Sequence, residues 1–220
     1  MKNIKNSDFN FQILSVKTDF YQKFLNNGDV VYDLGAFKGV LSVAFAKLGY
    51  DVYAVEGSPR NVEDLKLNTQ DYKNVKIIQF ALNDKNEDYI QTRFNDCLGL
   101  DHPLQLISYR TLPSLIKENK LPNPKFIKMD IEGMESVVLN KCDELIEKIR
   151  PIWQLSLHDT FEHGVLCVYD NYPGFKKVSQ GGFDFNKFIE HNYKVYDLEM
   201  NEKKSISGFN EYFLVPIEKL

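Results

Sequence analysis

The stretch VVYDLGAFKG, residues 30–39, places an apolar run directly before two glycines, Gly35 and Gly39. A short run of this composition favours a buried strand at Val30–Leu34. After Gly39 the segment VLSVAFAKLGY spaces its apolar side chains as a helix does and ends at Gly49. A strand, a glycine-containing turn and a helix in this order are typical of a parallel sheet covered by helices.

The rest of the chain continues this alternation and predicts a Rossmann-like α/β fold. We expect a mostly parallel seven-stranded sheet with helices on both faces and an antiparallel C-terminal hairpin at one edge. The predicted strands are 30–34, 51–58, 74–82, 125–133, 150–158, 193–200 and 211–217, with a further extended segment at 88–94. The predicted helices are 11–26, 40–49, 59–70 (capped by Ser58), 113–119, 134–149 and 183–192.

No linker or repeat divides the chain, so we expect an N-terminal helical extension, 1–27, and a single domain, 28–220. Two long connections, 95–124 and 159–182, are predicted to be irregular loops or lids. Their aromatic side chains either stack on a sugar ring or cover the sheet edge. These aromatic residues are Tyr109, Phe161, Tyr169, Tyr172 and Phe175.

Composition restricts the partners and the compartment. The net charge of −4 argues against a nucleic-acid partner, and no apolar run approaches the roughly 20 residues of a membrane span. The first residues lack the apolar core of a secretory signal, so we expect a cytoplasmic protein without stable membrane insertion. Cys97, Cys142 and Cys167 form neither a disulfide framework nor a CxxC pair. Nothing in the sequence specifies an oligomeric state.

The glycine spacing indicates which cofactor the first turn suits. Nicotinamide and flavin sites usually show G-x-G-x-x-G, whereas this chain has an acidic residue, Asp33, and then Gly35 and Gly39 four apart. An acidic residue before the first glycine suits a cofactor with a cationic amino-acid part and no pyrophosphate, as S-adenosylmethionine has. The alternative is a turn that binds no ligand.

A second acidic residue stands where a ribose ligand is expected. Glu56 lies at the end of the second strand, 23 residues after Asp33, where a carboxylate accepts hydrogen bonds from ribose hydroxyls. The third strand ends in FALND, which places Ala81, Leu82 and Asn83 beside an adenine edge. The combination strengthens the prediction of an S-adenosylmethionine site.

Four segments together resemble the FkbM-like family of class I S-adenosylmethionine-dependent methyltransferases. They are GDVVYDLGAFKG, VYAVEGSPRNVEDLKLN, FALND and IKMDIEGMESVVL, within about residues 28–160, and KMDIEGME is the most specific. The resemblance implies the Rossmann-like methyltransferase fold and O-methylation of a hydroxyl. A sugar in a glycan or glycolipid, or a small alcohol, is then the expected substrate. Phe37 departs from the family's usual Asn, and Pro113 from its usual Asp.

The methyl acceptor is expected beside the fourth strand, where Asp130 and Glu132 precede the turn at Gly133. His158 ends the next strand beside Asp159 and is the predicted general base, with Asp130 facing the same cleft. The alternative for His158 is a capping or surface histidine. No metal is predicted, although Asp130 and His158 have ligand chemistry that a divalent ion accepts.

The predicted site therefore has three groups of residues. His158 and Asp130 are catalytic, and Glu132, Asp159 and His163 contact the substrate. The predicted cofactor contacts are Asp33, Gly35, Ala36, Phe37, Gly39, Glu56, Gly57, Ala81, Leu82 and Asn83. Two alternatives stay open at this stage: a NAD-dependent oxidoreductase, disfavoured by the missing G-x-G-x-x-G and Tyr-x-x-x-Lys, and a cofactor-binding scaffold without catalysis.

Overall fold

The structure is a computed structural model that describes residue 9 and residues 18–92, 105–157, 183–206 and 210–220. Its helices are α1 (Asp19–Phe24), α2 (Val40–Lys47), α3 (Pro59–Thr69), α4 (Leu112–Glu118), α5 (Glu135–Leu139) and α6 (Asn186–Glu190). Its longer strands are β1 (Val30–Leu34), β2 (Asp51–Val55), β3 (Val75–Ile78), β5 (Glu87–Thr92), β6 (Gln105–Arg110), β7 (Phe126–Met129), β8 (Ile152–Leu157), β9 (Tyr193–Tyr196) and β11 (Asn210–Pro216). Two two-residue strands, β4 (Ala81–Leu82) and β10 (Glu202–Lys203), complete the described set.

One sheet of eight strands forms the centre of the described part of the chain, in the order β10-β9-β11-β8-β7-β1-β2-β3. The strands from β8 to β3 pair in parallel, and β11 pairs antiparallel with both β8 and β9. The mostly parallel sheet with an antiparallel C-terminal part confirms the predicted fold class. The predicted hairpin is present, although the short β10 pairs with β9 and takes the edge position.

Successive side chains of a strand point to opposite faces of the sheet, and in this sheet both faces carry buried side chains. On one face, Leu34 of β1 and Met129 of β7 pack in a cluster that includes Leu115 of α4 and Val138 of α5. On the other face, alternate residues of the same strands pack against α1 and α2. The members of that second cluster include Val31, Phe126, Tyr21 and Phe45. Helices therefore cover both faces, as predicted.

Local signals explain where several helices begin. Ser58 caps α3, since its hydroxyl accepts a hydrogen bond from the Asn61 N–H at 3.5 Å, and Pro59 occupies the first turn. Thr111 caps α4 in the same way, accepting from the Ser114 N–H at 3.2 Å. Pro113 also lies in a first helical turn, where its missing N–H costs nothing.

The structure corrects the prediction for the segment after β2. The predicted strand 74–82 divides into β3 and β4, and β4 joins β6 and β5 in a separate three-stranded sheet. The region 95–124, predicted to be irregular apart from the helix 113–119, contains that helix as α4 and also the strand β6, which was not predicted. Backbone pairing with β4 and β5 orders β6, and a hydrophobic pattern within one segment does not reveal such pairing.

The predicted long helix 134–149 is also corrected. The first α-helical part ends at Leu139. After a turn at residues 140–142 the helix resumes at Asp143 and continues as the π-helical segment Leu145–Ile149. Asn140 lies in the interruption, and a short polar side chain competes with the backbone for helical hydrogen bonds. Of the predicted helix 11–26, residues 19–24 are helical as α1.

In the part of the chain that the structure describes, the helices are all too short or too polar to cross a membrane. The predicted loop 159–182 and the residues Cys97 and Cys167 lie outside the described residues. Cys142 is described and fully buried, and burial raises the pKa of its thiol. Such a thiol is poorly nucleophilic.

Candidate functional site

The sheet reverses its strand order at β1. From β1 the chain continues on one side to β2 and β3, and it later fills the other side with β7 and β8. In an open α/β sheet, such a reversal leaves a crevice at the carboxyl ends of the strands, where ligands bind. The turn after β1 and the DIEG segment after β7 both follow strands that meet at this crevice.

Gly35 brings these two segments into contact. Its φ is +78°, and a Cβ at this position would lie 1.9 Å from the Asp130 carbonyl oxygen. The sequence prediction attributed the glycine to an approaching ligand, but the structure shows that the neighbouring strand already requires it. Gly39 is similar, since its Cβ would lie 2.6 Å from Leu65 Cδ1 of α3. Ala36 is buried against the same Leu65.

Asp33 is buried beneath this turn rather than open to the cleft. Its side chain is 1% exposed, and its Oδ2 accepts a hydrogen bond from the Ser42 hydroxyl at 2.6 Å. Its Oδ1 has no hydrogen-bond partner and lies 3.6 Å from Lys128 Nζ. Direct contact between Asp33 and a cofactor, as predicted, would therefore require this arrangement to change.

Lys128 is a charged residue that the sequence prediction missed. It stands beside Asp33 in the parallel register of β1 and β7, and its side chain is 7% exposed. Its ammonium group donates to the Gly35 carbonyl at 3.3 Å and lies 3.6 Å from Asp130 Oδ2. A lysine within the apolar strand FIKM was the available signal, because an unpaired lysine is rarely buried.

Glu56 lies at the end of β2 with its carboxylate turned back onto the turn after β1. Its Oε2 accepts the Phe37 N–H at 2.8 Å, and its Oε1 accepts the Ser58 N–H at 2.8 Å and the Asn61 side chain at 3.3 Å. Burial raises the pKa of Glu56, although these N–H donors act in the opposite direction. Each carboxylate oxygen has two lone pairs, so these three bonds leave one acceptor position, on Oε2, for a ribose hydroxyl.

Phe37 is the exposed residue of the turn. It has a φ of +50°, a left-handed conformation that costs a non-glycine residue about 1 kcal/mol or more, and its relative exposure is 51%. Asparagine, the usual family residue at this position, adopts this conformation more readily because its short polar side chain bonds locally. The departure that the sequence revealed thus lies at a strained backbone position.

The residues predicted to flank an adenine lie beside Glu56. A Cβ on Gly57 would lie 2.7 Å from Ala81 Cβ, so the end of β2 and the start of β4 are in close contact. Leu82 is buried in the core. Asn83 is partly exposed, and its backbone N–H donates to the Arg110 carbonyl at 3.0 Å. Ala81 and Asn83 therefore keep some exposure at the cleft side, whereas Leu82 serves packing.

The DIEG segment turns earlier than predicted. Glu132 already has a φ of +55°, before Gly133 at +96°, so strand alternation does not relate Asp130 to Glu132. The Asp130 side chain is 34% exposed, and Glu132 is exposed. Glu135, also missed by the sequence prediction, is fully buried and accepts the N–H groups of Ile131 at 2.9 Å and Gly133 at 3.1 Å.

The other predicted site residues, His158, Asp159 and His163, lie outside the described residues. In the sequence His158 directly follows Leu157, the last residue of β8, which pairs in parallel with β7. Among the residues that the structure does describe, no three His, Cys, Asp or Glu side chains are grouped so as to hold a metal ion.

Comparison with known families identifies one matching model. The methyltransferase FkbM domain matches residues 104–191, a range that contains KMDIEGME. This match confirms the resemblance inferred from the sequence, although it begins and ends later in the chain than the segments that first indicated it. A search of the curated proteins finds no significant match.

One solved methyltransferase structure has the same kind of fold, and two further structures align less closely. The crystal structure of methyltransferase FkbM from Methylobacillus flagellatus KT matches with a TM-score of 0.52 at 16% identity, covering 86% of this chain and 44% of that chain. The Methanococcus jannaschii fibrillarin pre-rRNA processing protein gives 0.49 at 13% identity, covering 86% and 66%. Aeropyrum pernix fibrillarin, in complex with natively bound S-adenosyl-L-methionine, gives 0.45 at 12%, covering 88% and 70%. This chain thus spans less than half of the FkbM structure that it resembles.

Proposed function

Because this chain is FkbM-like and has the Rossmann-like fold of class I methyltransferases, we propose that it is an S-adenosylmethionine-dependent O-methyltransferase. The proposed acceptor is a hydroxyl group, with a sugar in a glycan or glycolipid preferred on the family resemblance. The observation that carries the proposal is the crevice beside Gly35, which has the Glu56 carboxylate on one side and Asp130 on the other.

The chemistry of the crevice fits this cofactor. Glu56 supplies a carboxylate for ribose hydroxyls, and Gly57 and Ala81 form a narrow wall beside it. Two carboxylates, Asp33 and Asp130, each lie 3.6 Å from the single ammonium group of Lys128, so the charges described beneath the turn are more negative than positive, which suits a cationic ligand. In this proposal the Gly35–Gly39 turn holds the amino-acid part of the cofactor, with Asp33 acting from beneath.

The remaining residues handle the acceptor and its proton. S-adenosylmethionine supplies a methyl group that its sulfonium already activates, so positioning of the acceptor provides most of the rate. Asp130 and Glu132 orient the acceptor hydroxyl, with Asp159 and His163 as further contacts, and His158 removes the hydroxyl proton. The parallel pairing of β7 with β8 supports this assignment, because it brings the end of the strand before His158 near the end of β7.

The reaction is tested by supplying S-adenosylmethionine with a labelled methyl group to fractionated glycans, glycolipids and small alcohols of the source cell. We expect label in a base-stable ether of one fraction. Binding of S-adenosylhomocysteine without transfer to any fraction would instead support the cofactor-binding scaffold. Tight binding of NAD with no binding of S-adenosylhomocysteine would support the oxidoreductase.

The general base is tested separately by His158→Ala. The control is His191→Ala, at a histidine that directly follows α6 and whose Nε2 lies 3.6 Å from Glu147. We expect the first variant to lower turnover at least tenfold with little change in S-adenosylhomocysteine affinity, and the control to retain turnover. Unchanged turnover in His158→Ala would rule out the base assignment. Chelation followed by addition of Mg²⁺ or Mn²⁺ tests the alternative in which Asp130 and His158 hold a metal.

A further inference from the structure

Lys128 lies at the centre of the sheet, where a lysine is expensive to bury. Its neighbours in β7, Ile127 and Met129, are fully buried, and its own side chain is 7% exposed. Removing an ammonium group from water costs several kcal/mol unless it is paired and hydrogen-bonded. The compensation comes from Asp33 in the adjacent register position and from the Gly35 carbonyl.

This pairing alone does not explain why a lysine stands here. Apolar residues of similar volume in place of a buried ion pair are often as stabilising or more so, and a methionine with the length of Lys128 would continue the strand core. The Lys128–Asp33 pair is therefore weak evidence for a role in stability. What distinguishes Lys128 from a lysine in a simple buried ion pair is its additional contact with Asp130.

The ammonium group of Lys128 connects three parts of the crevice. It lies 3.6 Å from the buried carboxylate of Asp33 and 3.3 Å from the carbonyl oxygen of Gly35, in the turn after β1. It also lies 3.6 Å from the partly exposed carboxylate of Asp130, after β7. Since Gly35 and Asp130 are already in backbone contact, one cation contacts both the Gly35–Gly39 turn and the acceptor side of the proposed site at the place where they meet.

We propose that Lys128 is a positioning residue that fixes the Asp130 carboxylate at the acceptor side of the cleft and holds it against the Gly35 turn. The proposal rests on the proposed function, because it assigns Asp130 to the acceptor. Asp33 serves in it as the counter-charge that makes the buried ammonium tolerable. Lys128 acts through Asp130 and the turn, without contact to the reacting atoms.

The first test needs no substrate and uses amide hydrogen exchange of the ligand-free protein. Lys128→Met should speed exchange of the Asp130–Gly133 amides roughly tenfold, and Lys128→Arg, which keeps the charge, should stay closer to the wild type. The double variant Asp33→Asn/Lys128→Met removes both buried charges, so it keeps the test valid if Lys128→Met alone does not fold. Its Asp130–Gly133 amides should still exchange faster.

Lys125→Met is the matched control, since Lys125 pairs with Asp29 at the opposite end of the same strand. It should leave exchange at Asp130–Gly133 unchanged. Wild-type exchange in the folded double variant, or equal acceleration by Lys128→Met and Lys128→Arg, would overturn the positioning role.

The second test uses methyl transfer and a comparison with Asp130→Asn. Turnover of the Asp33→Asn/Lys128→Met variant should be at least tenfold lower than that of the wild type. Adding Asp130→Asn should lower turnover little further, because Lys128 acts by positioning Asp130 and the two substitutions therefore remove the same function. In folded Lys128→Met, which keeps Asp33 beneath the cofactor turn, S-adenosylhomocysteine affinity should change much less than turnover. Fully additive losses would overturn the proposal. If the wild type transfers no methyl group, the proposed function fails, and the exchange experiment still decides whether Lys128 holds Asp130.

Discussion

At the scale of single residues, we expect the contribution of Glu56 to the free energy of unfolding to depend on pH. Burial raises the pKa of its carboxyl above the usual value of 4.5, so the folded protein disfavours the ionised form relative to the unfolded chain. Its contribution to the free energy of unfolding should therefore fall as pH rises from about 4.5 through the folded-state pKa, and stay low above it.

The same ionisation should act in the opposite direction on the cofactor, because a carboxylate is the better acceptor for ribose hydroxyls. S-adenosylhomocysteine affinity is thus expected to increase over the interval in which stability falls. Calorimetric titration and urea unfolding from pH 4.5 to neutrality measure the two quantities. In Glu56→Gln, the free energy of unfolding and the S-adenosylhomocysteine affinity should both vary less with pH over this interval. The affinity at neutral pH should also be weaker than in the wild type. Identical pH profiles for wild type and variant would show that Glu56 contributes neither.

The position of a residue could be predicted from the sequence where it follows an apolar run, as for Glu56 directly after β2. It was not readable where backbone conformation decides. The sequence singles out Phe37 as a departure from a family pattern, but only the structure shows its positive φ. Likewise the sequence predicts a cofactor contact for Asp33, whereas its burial beside Lys128 depends on the register of two strands distant in sequence.

At the scale of elements, the strands that alternate with helices were predictable because both faces of the sheet are buried. β1 has the bounds expected from its apolar run, and α3 begins at the expected cap. The errors arose where pairing with a distant segment creates the element. β4 and β10 have two residues each, too short for any hydrophobic period, and β6 is ordered by its partners.

Glu135 holds the DIEG turn to the beginning of α5, and its removal tests this element. Glu135→Ala would leave the N–H groups of Ile131 and Gly133 without their acceptor. Because an unsatisfied buried donor costs about 1–3 kcal/mol, we expect a loss of roughly 2 kcal/mol or more in the free energy of unfolding, measured in urea. Glu135→Gln should lose less, since its amide oxygen still accepts.

Glu144→Ala provides the control for that measurement. Glu144 is 70% exposed and forms an i,i+4 pair with Lys148, which is worth about 0.5 kcal/mol or less. If Glu135→Ala destabilised the protein no more than Glu144→Ala, the two hydrogen bonds would not be what fixes the turn.

At the scale of the whole molecule, the alternation of strands and helices favours the observed order of strands in the sheet. That strand order in turn places the crevice at β1, where the order reverses. Parallel crossovers place β2 and β3 on one side of β1 and β7 and β8 on the other. The sequence could therefore locate the candidate site at the end of β1. It could not show that the crevice is narrowed by direct contact between the segments after β1 and β7, because that distance depends on packing across the sheet.

Two glycines with nearly equal backbone angles allow this contact to be tested against backbone strain alone. Gly28 has a φ of +81° and nothing within 4 Å of an added Cβ, whereas Gly35 has a φ of +78° and the Asp130 carbonyl oxygen at 1.9 Å. Gly28→Ala should cost only the strain of a left-handed alanine, about 1–2 kcal/mol.

Gly35→Ala carries the same strain and must also separate β1 from β7 at the crevice, so we expect a loss larger by about 2 kcal/mol or more in urea unfolding. Because the added methyl group pushes on Asp130 rather than on Glu56, acceptor-dependent turnover should fall further than S-adenosylhomocysteine affinity in any folded Gly35→Ala protein. If Gly28→Ala and Gly35→Ala lowered the free energy of unfolding equally, the segments after β1 and β7 would be able to move apart without cost. The contact at Gly35 would then not define the width of the crevice.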